Sequence, residues 1–187
     1  MKIAIYAGSF NPIHNGHLAI AREVLHQGAA EQVWFLVSPQ NPLKVNSDLL
    51  PEQDRLEMVR LAIEEQPNMI VSDFEFRLPR PSYTIRTLDA LKKDFPAHQF
   101  VLLIGGDNLA IFNKWVEHQR IISDFGLIVY PRPGYESADI LKFKNTTYLT
   151  AKLLDISATE LREKAKKGES IDSLTPAKVA NYLQRLL

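Results

Sequence analysis

An apolar run, Ile3-Ala-Ile-Tyr-Ala7, leads into Gly8-Ser-Phe-Asn-Pro-Ile-His-Asn-Gly-His17, and that segment into Leu18-Ala-Ile-Ala-Arg-Glu-Val-Leu25. The first piece reads as a buried strand and the last as a helix. A buried strand joined to a helix by a glycine-bracketed loop is the opening unit of an α/β fold, in which anions settle on the amide groups that begin the helix. Gly8 permits a tight turn and close backbone approach, Pro12 stiffens the loop, and Gly16 lets a phosphate near the helix start. His14 and His17 stand three residues apart, so on a helical turn both rings face one side. Such a pair also has zinc-ligand spacing, but no third ligand lies nearby in the sequence and the chain has no cysteine. The residues therefore point to phosphate handling.

Strand-like runs and helical patterns alternate along the remainder. Gln32–Val37 reads as a second strand, followed by a loop rich in breakers, Ser38-Pro-Gln-Asn-Pro-Leu-Lys44. Pro51 opens a helix through about Glu65, with Leu56, Val59, Ala62 and Ile63 as its apolar face. Met69–Val71 starts a third extended segment, and Thr84–Lys92 a helix with Ile85, Leu88 and Leu91 on one side. Gln99–Ile104 is the clearest strand and runs into Gly105-Gly-Asp-Asn108. A short helix containing Phe112 and Trp115 is expected next, then strands over Phe125–Tyr130 and Thr146–Leu154. Ser157-Ala-Thr-Glu160 is a capping-box pattern that opens a helix to about Lys167, with Gly168 past its end. Thr175-Pro176 begins a final helix, with Val179, Tyr182, Leu183 and Leu186 inward. This alternation predicts an α/β fold with a doubly wound, mainly parallel sheet and a C-terminal helical segment. With no repeat, low-complexity tract or linker, residues 1–187 read as one domain.

Composition narrows the function. Lys plus Arg and Asp plus Glu number 22 each, for a formal net charge of zero. No broad basic excess exists to neutralise a polyphosphate backbone, so a general nucleic-acid binder is not expected, although one nucleotide in a locally basic cleft is. The absence of cysteine excludes disulfides, a thiolate nucleophile and Cys-type zinc sites. No apolar stretch approaches the roughly 18 residues of a membrane span, and no secretory pattern precedes the first strand. A cytoplasmic location is the expectation.

Two further segments have the chemistry of a nucleotide site. In Ile156-Ser-Ala-Thr-Glu-Leu-Arg162, a hydroxyl at a helix start and an arginine one turn further in can form an anion-binding end; taken alone, they better suit an ordinary capped helix with a surface arginine. Gly105-Gly-Asp107 lies at the carboxyl end of the strongest strand, where an acidic residue can hold ribose hydroxyls or simply cap a helix.

Taken together, these segments resemble a known family. Gly8–His17 is similar to the (H/T)xGH signature of the nucleotidylyltransferase superfamily, and Ile156–Arg162 to its second signature, ISSTxxR. Within that superfamily the chain most resembles the nicotinate-mononucleotide adenylyltransferases, bacterial enzymes of NAD synthesis. Pro81-Ser-Tyr-Thr-Ile-Arg-Thr-Leu88, Leu103–Asn108 with Trp115 downstream, Arg132-Pro-Gly134 and Ser170–Pro176 extend the likeness along nearly the whole chain.

The resemblance implies a Rossmann-like nucleotidylyltransferase topology and adenylyl transfer from ATP, with Mg²⁺, to nicotinate mononucleotide. The products would be deamido-NAD and pyrophosphate. It implies that His14, His17 and Arg162 are catalytic contacts to the ATP phosphates, with Gly8, Ser9, Phe10, Gly16, Gly105, Asp107, Ser157 and Thr159 also on the ATP side. Asn11, Lys44, Tyr83, Thr84, Asp107 and Trp115 would bind the acceptor, the backbone at Tyr83 and Thr84 and the stacked Trp115 holding the pyridine ring. No protein side chain is expected to ligate a metal. The implied partners are these two small molecules, with neither nucleic acid nor membrane, and a homo-oligomer is left open. A phosphate monoester has a second pKa near 6, so the nucleophile needs no general base; catalysis would rest on positioning and charge stabilisation.

Three positions depart from the family pattern. Asn11 stands where an aspartate is common, Ser38–Lys44 lacks the usual Pro-Pro-His-Lys form, and Ala158 replaces a frequent serine. Alternatives at this point are a nicotinamide-mononucleotide or dual-specificity enzyme, a phosphopantetheine or FMN adenylyltransferase, and a catalytically silent nucleotide-binding regulator.

Overall fold

The computed structural model describes residues 1–39, 49–135, 143–150 and 154–187. Among these residues six strands, β1 (Lys2–Gly8), β2 (Gln32–Val37), β3 (Met69–Ser72), β4 (Gln99–Gly105), β5 (Leu127–Tyr130) and β6 (Thr146–Tyr148), form one sheet in the order β3-β2-β1-β4-β5-β6. Every pairing is parallel. This is the doubly wound Rossmann order, and β1 and β4 flank the point at which the winding reverses.

Parallel strands covered on both faces are apolar at nearly every position, and alternate residues divide between two cores. On one face Ala4, Tyr6, Val33, Phe35, Val101 and Leu103 pack under α1 (Asn15–His26), α2 (Glu52–Ile63), α6 (Ala158–Lys166) and α7 (Ala177–Leu186). On the other, Ile3, Ile5, Leu36, Leu102 and Ile104 pack under α3 (Thr84–Asp94), α4 (Gly106–Ala110) and α5 (His118–Asp124). The C-terminal helical segment is thus α6 and α7, both laid on the α1 face.

Several boundaries differ from the sequence expectation for local reasons. The helix expected to hold Phe112 and Trp115 is broken: α4 ends at Ala110, Phe112–Lys114 forms a 3₁₀ turn, and Trp115 is extended at φ −76°, ψ 142°. Helix α5, unmarked by any strong apolar period, starts after Glu117 in the left-handed region at φ 52°. Gly126 has φ +80°, and a Cβ there would meet Asn145 atoms at 2.8 Å, so β5 begins only at Leu127. Strand β6 covers three of the residues expected between Thr146 and Leu154. On α2 the buried stripe is Arg55, Met58, Val59, Ala62 and Ile63, with Leu56 only partly buried.

Phe35, fully buried, packs its ring 5.4 Å from Tyr6 and 5.5 Å from Phe10, beneath the first loop. Phe35→Ala is expected to cost about 3–5 kcal/mol in urea unfolding, because the rigid sheet beneath cannot collapse into the space.

Candidate functional site

The loop between β1 and α1 is held from behind. Asn15 N–H donates to Leu174 O at 2.9 Å, and Thr175 Oγ1 donates to Ile13 O at 2.9 Å, so the strand of chain before α7 straps the start of α1. Arg162, buried on α6, donates to Asn11 O at 2.6 Å, to Ala158 O at 3.2 Å and to Thr159 Oγ1 at 3.5 Å. The two signature segments, far apart in sequence, therefore meet through one guanidinium. The Asn11 side chain accepts from Leu50 N–H at 3.0 Å. An amide oxygen serves for that bond as well as a carboxylate would, so asparagine is accommodated where an aspartate is common.

His14 is the N-cap of α1 and His17 lies three residues further on. Their rings stack, with centroids 3.7 Å apart and planes inclined by 28°. His17 Nδ1 accepts from the His14 backbone N–H at 3.2 Å. In its neutral form His17 then carries its proton on Nε2, as a donor. A Cβ on Gly16 would lie 3.0 Å from His14 Nδ1, so glycine is what lets the first ring seat here. Burial, and then the positive charge of Arg132, lower the His14 pKa from 6.5 to about 4. Among the described residues His14 Nδ1 is buried with no hydrogen-bond partner.

Beyond the carboxyl end of β4, Asp107 in the first turn of α4 faces Arg132 at 3.7 Å, with Asp107 Oδ1 buried and without a hydrogen bond among the described residues. Arg132 also lies over the Tyr130 ring at 5.2 Å from its centroid. Gly105 leaves room for both: a Cβ there would run into the Asp107 carboxylate and the Tyr130 ring. Ser157 caps α6 by accepting from Glu160 N–H at 3.4 Å, and both Ser157 and Thr159 are exposed.

Beside these groups, at the carboxyl ends of β1 and β4, is a cavity of about 350 Å³. Gly8, Tyr83, Thr84, Asn108 and Trp115 line it. Tyr83 is the N-cap of α3 and Thr84 its first residue, so that helix opens at the cavity wall. Ser82 Oγ and Trp115 Nε1, on residues that line it, are buried without hydrogen-bond partners among the described residues.

The structure thus places Gly8, Ser9, Phe10, Asn11, His14, Gly16 and His17 on one loop and helix start. It ties Arg162 to that loop, and gathers Tyr83, Thr84 and Trp115 around the cavity with Gly105 and Asp107 at the neighbouring strand end. Lys44 lies outside the described residues. Sequence reasoning missed Arg55, Glu75 and the site role of Arg132. Arg55 falls in register with Met58, Val59 and Ala62 on the buried stripe of α2, a cation at a core position and hence a readable signal. Glu75 is buried on the 3₁₀ turn Phe74–Arg77, lines the cavity and accepts from Thr87 Oγ1 at 2.9 Å; burial raises its pKa. Nothing in its sequence neighbourhood marks it.

A doubly wound sheet with a paired-imidazole loop at its switch point, held by an arginine of α6, is an arrangement suited to binding the phosphates of a nucleotide. Residues 5–164 match the cytidylyltransferase-like family model. A "probable nicotinate-nucleotide adenylyltransferase" of Bacteroides fragilis is 46% identical over 170 residues, covering 91% of this chain and 85% of that one. One of the same name from Cytophaga hutchinsonii is 45% identical over 183 residues, covering 98% and 95%. The chain belongs to the cytidylyltransferase-like family and, within it, to the nicotinate-nucleotide adenylyltransferases. The nicotinic acid mononucleotide adenylyltransferase of Plasmodium falciparum, solved as a complex with NaAD, has the same fold, with a TM-score of 0.83 at 18% identity over 99% of this chain and 95% of that one.

Because His14 titrates near 4 when folded and near 6.5 when unfolded, the unfolded chain takes up that proton first. Its contribution is therefore complete above about pH 6.5 and is lost as pH falls towards 4, amounting to about 3 kcal/mol. Urea unfolding at pH 7 and pH 4.5 should show His14→Asn losing less stability on acidification than the wild type, by that order.

Proposed function

We propose that this chain transfers the adenylyl group of ATP to the 5′-phosphate of nicotinate mononucleotide, forming nicotinate adenine dinucleotide and pyrophosphate in NAD biosynthesis. The names of its relatives support the reaction. The observation that carries it is the stacked His14–His17 pair at the start of α1, on the loop whose backbone Arg162 holds. In this reading residues 1–187 act as one domain in a cytoplasmic setting; no helix among the described residues is long and apolar enough to cross a membrane.

A phosphate oxygen of the mononucleotide attacks the α-phosphorus of ATP, a P–O bond forms, and the bond to the bridging oxygen breaks with its electron pair leaving on pyrophosphate. The attacking phosphate is mostly dianionic at neutral pH, so no side chain need remove a proton. What the protein supplies is alignment and positive charge. His17 donates from Nε2 to a phosphate oxygen. His14, neutral without ligand, gains a proton as the anion binds beside it, since a close negative charge raises an imidazole pKa. Arg162, Ser157 and Thr159 hold the β- and γ-phosphates, and Mg²⁺ brought with ATP would add positive charge at the phosphates without needing a protein ligand. Asp107, with Oδ1 unsatisfied, accepts from ribose hydroxyls at Gly105.

The acceptor ring occupies the cavity against Trp115. The opening amides of α3 at Tyr83 and Thr84 favour a carboxylate, because they only donate and lie at the positive end of the helix dipole. A carboxamide also needs an acceptor for its N–H groups, which those amides lack.

Pyrophosphate release should be fastest with nicotinate mononucleotide, slower with the nicotinamide form and negligible with phosphopantetheine or FMN. No release with any acceptor would leave only a nucleotide-binding protein. His17→Ala should lose at least about 100-fold in kcat, the scale of losing one transition-state donor, with its circular dichroism unchanged; a near-normal rate would sink the assigned role.

A further inference from the structure

A second buried guanidinium lies behind the site. Arg55 is fully buried on α2, and four of its five N–H groups donate to backbone carbonyls. Nε donates to Leu50 O at 2.9 Å, one terminal nitrogen to Ser9 O at 2.6 Å and to Ser38 O at 2.8 Å, and the other to Pro39 O at 3.3 Å. These carbonyls belong to three separate pieces of chain: the loop leaving β1, the turn leaving β2, and the entry to α2.

The same pieces are tied to one another. Ser38 N–H donates to Gly8 O at 2.9 Å, and Leu50 N–H to Asn11 Oδ1 at 3.0 Å. Gly8 and Ser38 both line the acceptor cavity, and Ser9 begins the loop that ends in His14 and His17. Arg55 therefore sits behind the wall shared by the phosphate loop and the ring cavity.

A core that needed only filling would take a leucine or methionine here, in line with Met58, Val59, Ala62 and Ile63. A buried cation is costly unless every donor is matched, and removing the charge is often neutral for stability when packing is kept. The planar fork of arginine reaches several acceptors in fixed directions, which the point charge of lysine does not.

We propose that Arg55 is a positioning residue for adenylyl transfer, its guanidinium holding the ends of β1 and β2 in the relative placement that aligns the two substrates. The proposal rests on the function given above. Its effect is on turnover, since misalignment of bound reactants by about 1 Å costs on the order of 100-fold while each still binds through its own contacts.

Arg55→Met and Arg55→Lys, purified and assayed at 25 °C well below their unfolding temperatures, test this. The Met variant should fold and bind ATP and nicotinate mononucleotide with KM values within a few-fold of wild type, with kcat down about 100-fold. The Lys variant should recover part of that loss. Amide hydrogen exchange should quicken at Ser9–Asn11 and at Ser38, with the β1 and β4 core unchanged. A folded variant with wild-type kcat and only a lower melting temperature overturns the proposal, as does a loss confined to KM. If Arg55→Met fails to fold, Arg55→Lys decides by the same criteria. Wild-type protein that releases no pyrophosphate with any mononucleotide overturns the functional reading, whereas unchanged exchange at Ser9–Asn11 and Ser38 overturns the clamp itself.

Discussion

A loop that offers its amide groups to a ligand must have its carbonyl groups satisfied on the other side, because unpaired backbone groups at that depth are costly. The segment from Ser9 to Asn15 meets this constraint with side chains from distant parts of the chain. Arg55 takes Ser9 O, Arg162 takes Asn11 O, and Thr175 takes Ile13 O. Two of the three are buried cations, and each is solvated by carbonyl dipoles rather than paired with a carboxylate. Positive charge is thereby retained under the loop, where a carboxylate partner would have cancelled it for an incoming phosphate.

The histidine pair complements that arrangement. A permanent charge at His14, added to Arg132 nearby, would make the empty site self-repelling; burial and Arg132 keep the ring neutral instead. Under the proposed reaction its proton comes with the anion, so the charge is present when there is a phosphate to stabilise and absent otherwise. His17 differs in that its Nδ1 is committed to the His14 N–H, which aims Nε2 outward. Two residues of one type, three positions apart, thus have separate electrostatic duties set by which ring atom the backbone engages.

The fold was legible in the sequence wherever periodicity was strong. The buried runs Ile3–Ala7, Gln32–Val37 and Gln99–Ile104 lie in β1, β2 and β4, and the parallel sheet follows from their alternation with helices. Legibility failed where turn chemistry decides: α5 begins at a left-handed Glu117, and the 3₁₀ turns at Phe74 and Phe112 are too short to carry a period. In the candidate site, His14 and His17 were readable because glycines and a strand-to-helix junction flank them, whereas Arg162 was readable only through the likeness of Ile156–Arg162 to the second signature. Arg55 and Glu75 were hidden for the opposite reason. Their partners are backbone carbonyls and a threonine from other segments, contacts made only after the chain is folded.

The sheet also explains why two loops so distant in sequence and a third region between them form one site. Helices α1 and α6, which carry His14, His17 and Arg162, lie on one face with α2 and α7; α3 and α4, which carry Thr84 and Asp107, lie on the other. At the reversal between β1 and β4 neither face is covered by a crossover, so helix N-termini from both faces open on a common crevice. Under the proposed reaction, the triphosphate side is built by one face and the ring cavity by the other. Neither half moves relative to its partner without shearing the β1–β4 ladder, and the groups that set the remaining freedom are those at the strand ends. The loop leaving β1 is the element both halves share. Its geometry, rather than the affinity of either half for its own substrate, is then what determines whether the two reacting phosphates meet.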